Sequence, residues 1–168
     1  MKENTAIATL AQTSPGMSLP VQLAEQAADA VRELLAEAAA ENTTRSYASA
    51  LRYWVGWHAA RYGVELTLPV AEAAVLQFVV DHVVRRNADG ELAWELPLDV
   101  DQALVDAGLK AKSGPWALST VRHRVAVLSI AHRLRQVANP CEQPAIRTVL
   151  SRAARAAVKR GERPRQET

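Results

Sequence analysis

The sequence predicts an all-α fold: a compact bundle of four to five helices with an irregular insertion between the third and the fourth. Three observations carry this. Apolar residues make up 49% of the 168, and alanine is prominent among them. Long stretches repeat apolar residues at three- and four-residue steps. The 7 glycines and 8 prolines cluster between those stretches, where they punctuate helices rather than interrupt them.

The elements follow in order. Residues 1–17 are polar, contain Thr13, Ser14, Pro15 and Gly16, and read as a disordered tail. Ser18 is expected to cap a first helix, with Pro20 in its opening turn. Leu23, Ala27, Val31, Leu34 and Ala38 then share a face, to about residue 40. Asn42 and Thr43 are expected to cap a second helix that Gly63 ends. Tyr47, Leu51, Trp54 and His58 lie along one side of it, and Arg45, Ser49 and Arg52 roughly opposite.

Pro69 opens a third helix with a wide stripe of Val75, Leu76, Val79, Val80 and Val83. Arg85 and Arg86 stand near its C-terminal end, where the helix dipole favours cations. Residues 87–118 are the insertion. Asp89-Gly90 is a turn signal between short segments that could pair as a hairpin, and Asp99 to Ala107 could form a short helix ended by Gly108. Gly114-Pro115 breaks the chain again, and Trp116 reads as an anchor of this loop on the body.

Ser119 or Thr120 is expected to cap a fourth helix. Val121, Val125, Leu128 and His132 share one face, and Arg122, Ala126, Ser129 and Arg133 another, until Asn139-Pro140 stops it. Pro144 starts a fifth helix with Ile146, Val149, Leu150 and Ala153 inward. Arg147, Ser151, Arg152, Arg155 and Lys159 cover its outer side, and Gly161 ends it. Residues 161–168 read as the start of a linker.

Cys141 is the single cysteine, so no internal disulfide can form. That suits a reducing compartment, and Cys141 reads as structural. The N-terminal residues lack the apolar run of a signal peptide, and no stretch is long and apolar enough to span a membrane. The expectation is a cytoplasmic protein without a membrane partner.

No Gly-rich phosphate loop, HExxH, CxxC or GxSxG pattern occurs. His58, His82, His123 and His132 are scattered, which makes a zinc site improbable. No cofactor is expected, and nothing argues for catalysis by these residues. Trp54 and Trp57 at helical spacing read as core rather than as base-stacking rings, and His132 as a hydrogen-bonded core histidine.

Charge is the functional signal. The net +2 hides an asymmetry: residues 1–118 hold 9 Lys+Arg against 15 Asp+Glu, and residues 119–168 hold 11 against 3. The balances are −6 and +8. Basic residues set within apolar helical periods imply a folded cationic face, and nucleic acid is the commonest polyanion to meet one. Thr43/Thr44 and Ser119/Thr120 mark two expected helix starts, where free backbone N–H groups can hold phosphate. Each is followed closely by cations: Arg45 in one case, Arg122 and Arg124 with His123 in the other.

Asn42-Thr43 with Tyr47, Leu51, Trp54 and Trp57 resembles the second-helix motif of the SAM-like core-binding domain of tyrosine recombinases, the phage integrase family. Leu68-Pro69 matches the family's lead into its third helix. Ser119-Thr120-Val121, Leu128, His132 and Asn139-Pro140 are similar to its fourth-helix stretch. The Arg-rich last helix, with Gly161-Glu162-Arg163 and Gln166, looks like the family's exit to the catalytic domain. The likeness is strongest to Cre-type members and covers about residues 20–166 apart from the insertion.

The resemblance implies a helical DNA-binding domain, residues 18–160 with the insertion at 87–118, that grips one face of a recombination site. The domain that cleaves DNA through a 3′-phosphotyrosyl link would lie outside this chain, so the chain itself is not expected to be an enzyme. Tyr47, Tyr53 and Tyr62 read as packing residues. The family lays its second and fourth helices across the major groove. The matching positions here are Thr43, Arg45, Ser46 and Ser49, then Ser119, Thr120, Arg122, His123 and Arg124. Arg122 and His123 are the expected groove readers, and Arg152, Arg155 and Lys159 the expected phosphate contacts.

The implied partners are double-stranded DNA and neighbouring protomers, the latter through residues 20–40. The insertion departs from the family. Its Glu91, Glu95, Asp99, Asp101 and Asp106 disfavour phosphate contact, which leaves a protein contact or a solvated ornament. The rival reading is a helical interaction or dimerisation module that does not bind DNA.

Overall fold

The computed structural model describes residues 25–161, and the expected tail at 1–17, the Ser18 cap and the linker beyond Gly161 lie outside them. The fold is all-α. Among the described residues five α-helices and one small hairpin succeed one another: α1 (Glu25–Tyr62), α2 (Glu72–His82), β1 (Arg85–Arg86), β2 (Leu92–Ala93), α3 (Leu98–Asp106), α4 (Leu118–Arg135) and α5 (Pro144–Lys159). A 3-10 turn, Pro140–Glu142, precedes α5. None of the described helices is long and apolar enough to cross a membrane. The chain divides into two units, residues 1–46 and 47–168.

The first unit contributes the N-terminal part of α1. The expected break at Asn42-Thr43 is absent, and one helix runs through it. The physical reason is visible at Thr43. Its hydroxyl donates backward to the Ala39 carbonyl at 3.1 Å instead of capping the N–H groups ahead. No glycine or proline lies between residues 25 and 55 to stop an alanine-rich run. Arg32 pairs with Asp29 along the helix. Asp29, Glu33, Glu37 and Glu41 recur at four-residue steps, so they form one acidic ladder beside the exposed Leu34.

The second unit holds the core. Tyr53, Trp54 and Trp57 from α1 meet Val75, Phe78 and Val79 from α2, Val121, Val125 and Leu128 from α4, and Ile146 from α5, all buried. Trp54 stacks on Phe78 with centroids 3.7 Å apart, and Trp57 meets Phe78 edge-on at 5.1 Å. Both tryptophans are therefore interior, as their spacing predicted. Asp81 is also interior and accepts from Trp57 Nε1 (2.9 Å), Arg61 Nε (3.1 Å) and Gln77 Nε2 (2.7 Å), so its charge is compensated.

Two histidines repeat one device. His132 Nδ1 donates to the Leu128 carbonyl at 2.8 Å, which leaves Nε2 to accept from the Val70 N–H at 3.0 Å. His82 Nδ1 donates to the Phe78 carbonyl at 2.7 Å, and its Nε2 faces Tyr53. Each ring ties its own helix to a neighbouring segment.

Several expected boundaries move. α2 ends at His82, so Arg85 and Arg86 lie in β1 and not at a helix end. α4 ends at Arg135, capped by Gln136, whose φ of 55° takes the left-handed turn, and not at Asn139-Pro140. Asn139 instead opens the 3-10 turn. Its Oδ1 accepts from Cys141 N and its Nδ2 donates to Ser129 Oγ at 2.7 Å.

The insertion is no ornament. β1 and β2 pair antiparallel around the Asn87–Gly90 turn, and α3 occupies the expected short-helix position. Leu96 and Leu104 enter the core. Gly56 of α1 leaves room for Leu109, whose Cδ1 would lie 2.2 Å from any Cβ there. Asp101, counted by sequence among the acidic surface residues, is buried. It accepts from Lys110 Nζ at 2.5 Å and from Gly114 N at 2.8 Å.

Candidate nucleic-acid interface

Three helical stretches of the second unit carry no carboxylate at all: α1 from residue 47, α4 and α5. Together they hold ten Lys and Arg side chains. Among the described residues the five ion pairs use Arg32, Arg61, Arg85, Lys110 and Arg133. None of them uses Arg122 or any cation of α5. Cations left without a carboxylate partner keep their full field for an external anion.

The start of α4 carries the residues expected to read the groove. Its cap is Ala117, in extended backbone (φ −61°, ψ 145°), and no side chain bonds back to the first turn. Ser119 and Thr120, the expected caps, therefore occupy the second and third helical positions, two and three residues after the actual cap. Both stand in the first turn, where helix N–H groups point outward along the axis, although the Thr120 N–H already donates to the Ala117 carbonyl at 3.0 Å. Arg122 and His123 follow, both exposed. The His123 ring lies 6.4 Å from the Tyr47 ring of α1, so the first turns of α4 neighbour the α1 segment that bears the exposed Ser49.

Arg124 departs from its expected place. It does not stand with Arg122 on the outer surface. Its guanidinium carbon lies 4.8 Å from the Tyr53 centroid and 4.6 Å from that of Trp116. The two rings are themselves 4.4 Å apart, so the cation rests over their junction rather than between them. Nη1 reaches the Ser49 carbonyl at 3.5 Å, and Nε is buried without a partner. Burial lowers the Arg124 pKa from the usual arginine value and raises that of Tyr53 above the usual phenol value. The cause of the inward turn is the ring pair, which gives a half-buried guanidinium a flat apolar floor.

The remaining expected residues fall in two places. Arg152, Arg155 and Lys159 are exposed on α5, with Arg147 on the same outer face. Thr43, Arg45 and Ser46 are exposed in the first unit, in mid-helix. Their backbone N–H groups serve the helix, so the expected phosphate cradle at Thr43/Thr44 does not exist.

Sequence reasoning missed the buried Asp101–Lys110 pair and the Arg124 site. Trp116, a lone large aromatic after Gly114-Pro115, was the legible hint, and it does anchor the loop. Its backbone N–H donates to the His82 carbonyl at 2.8 Å, and its ring stacks on that of His82 with centroids 4.6 Å apart. Among the described residues no group of His, Cys, Asp and Glu is placed to hold a metal ion. No protein-family model, curated protein or solved structure matches this chain.

Proposed function

We propose that this protein binds duplex DNA through α4 and the adjoining part of α1, as the core-binding domain of a site-specific tyrosine recombinase or integrase. The observation that carries the reading is the set of exposed cations on carboxylate-free helices of the second unit, Arg122 on α4 and Arg147, Arg152, Arg155 and Lys159 on α5, which none of the five ion pairs uses. The recombinase assignment rests on the sequence resemblance, and it places strand cleavage on residues other than these.

In this reading the N–H groups of Leu118 and Ser119 at the start of α4, with the Ser119 and Thr120 hydroxyls, hold a phosphate. Arg122 reaches a base edge, for which guanine offers two acceptors, and His123 lies beside it in the groove. Ser49, exposed on the α1 segment beside His123, follows the backbone. Arg152, Arg155 and Lys159 add phosphate contacts from α5. Arg124 is withdrawn from this set and supports it from behind.

Neighbouring copies are the second proposed partner. The ladder of Asp29, Glu33, Glu37 and Glu41 next to Leu34, which is 66% exposed, offers acid and apolar surface together. A cationic face such as that of α5 on an adjacent copy would complement it.

The test is titration of a labelled duplex with the full chain at low salt, followed by anisotropy, with sedimentation in parallel. Saturable binding is expected. No binding at low salt, together with stable self-association, would replace this reading with a DNA-independent interaction module.

A further inference from the structure

The loop between α3 and α4 is fixed at both ends. At its start, Asp101 holds Lys110 and the Gly114 N–H, while Lys110 Nζ also donates to the Gly114 carbonyl at 2.6 Å. At its end, Trp116 is bound to His82 through backbone and ring. Two residues later α4 begins. The Trp116 ring then supports Arg124, one and a half turns into that helix.

Arg124 also ties α4 to α1. Trp54 Nε1 donates to its carbonyl at 2.9 Å, Tyr53 carries its guanidinium, and the Ser49 carbonyl accepts from Nη1. The side chain is held mainly through its flat face, since Nε has no partner and the single bond to Ser49 is long. A planar delocalised cation suits that floor, and a lysine ammonium does not.

We infer that Trp116 and Arg124 form a positioning pair that sets the first turns of α4 against α1, so that the loop 110–116 governs how Ser119 to His123 are presented. This rests on the DNA-binding reading above. It gives the insertion a purpose: it builds the floor under the recognition helix, while its own acids stay off the DNA.

The experiment compares the full chain with W116F, W116L, R124K and R124M. Amide hydrogen exchange at residues 118–124 is read without DNA, and duplex affinity and its salt slope are read with it. W116F keeps a ring and should preserve all three. W116L and R124K should speed exchange at 118–124 about tenfold and weaken duplex binding about tenfold, with the salt slope unchanged, because Arg124 itself releases no phosphate counterion.

Normal exchange in both W116L and R124K would overturn the pair. So would a salt slope that falls by about one in W116L and R124M while R124K keeps full affinity, since that marks a direct phosphate contact. Should the parent chain bind no duplex, the DNA reading fails, yet the exchange comparison still decides whether Trp116 and Arg124 position α4. If W116L does not fold, the comparison of R124K with W116F decides it.

Discussion

The Tyr53 hydroxyl donates to His82 Nε2 at 2.5 Å, and this contact is sealed inside the core between α1 and α2. Nδ1 donates to the Phe78 carbonyl, which leaves Nε2 as the acceptor. Burial is the main cause of a His82 pKa pushed down to about 3; the Phe78 hydrogen bond opposes it, and the nearby Lys110 and Arg124 act with it.

The consequence for stability has a definite sign. Between pH 6.5 and 3 the unfolded chain protonates this histidine and the folded chain does not, so the unfolded state gains protons. The contribution is present in full above pH 6.5 and is lost as pH falls toward 3, at a limiting rate of about 1.4 kcal/mol per pH unit. Urea unfolding from pH 7 to pH 4 should show this loss, and H82Q should flatten the curve over that window.

The Asp101–Lys110 pair is buried on both sides and ties α3 to the loop before α4. Removing one partner strands a charge. D101A should therefore cost about 3–5 kcal/mol, while the double variant D101L/K110M should recover a good part of it. Chemical denaturation of the single and double variants checks this. Equal losses in D101A and D101L/K110M would show that the ion pair itself is what matters.

Arg122 and Lys159 are both exposed, but they stand on different helices with different proposed roles. R122A should weaken binding to duplexes enriched by in vitro selection by about 1–3 kcal/mol and relax preference at one position. K159A should weaken selected and random duplexes alike. Competition binding with both DNA pools separates the outcomes, and equal behaviour of the variants removes the groove-reading role from Arg122.

The acidic ladder on the first unit predicts a charge-dependent contact between copies. E33K/E37K should leave the affinity of a single copy for DNA unimpaired and lower cooperativity along a long duplex. Footprinting against protein concentration reads both. Unchanged cooperativity would leave Asp29 to Glu41 as an ordinary solvated face.

The helical class was readable because apolar period and burial coincide. Trp54, Trp57, Val75, Val121, Leu128 and Ile146 were all inward by spacing and are buried in the structure. Boundaries were less readable where a side chain had two uses. Thr43 looked like a cap, but bonded backward within a longer helix. Ser119 and Thr120 looked like caps because the real one, Ala117, has no side-chain signal.

The misplacements at the site share one cause: tertiary partners far along the chain. Arg124 matched the outward arginines by period, yet Trp116 and Tyr53 drew it in. Asp101 read as surface acid, yet Lys110 made its burial affordable. Neither partnership leaves a mark in local spacing, so only the fold discloses it.

The most direct test of the account is the salt dependence of duplex affinity, measured for the parent chain and for R152A/K159A. Unpaired cations on α4 and α5 that hold phosphates should give a plot of log K against log salt with a slope of about −3 or steeper, and the double variant should lose about two units of that slope. A slope near zero, or one that the two substitutions leave untouched, would contradict it.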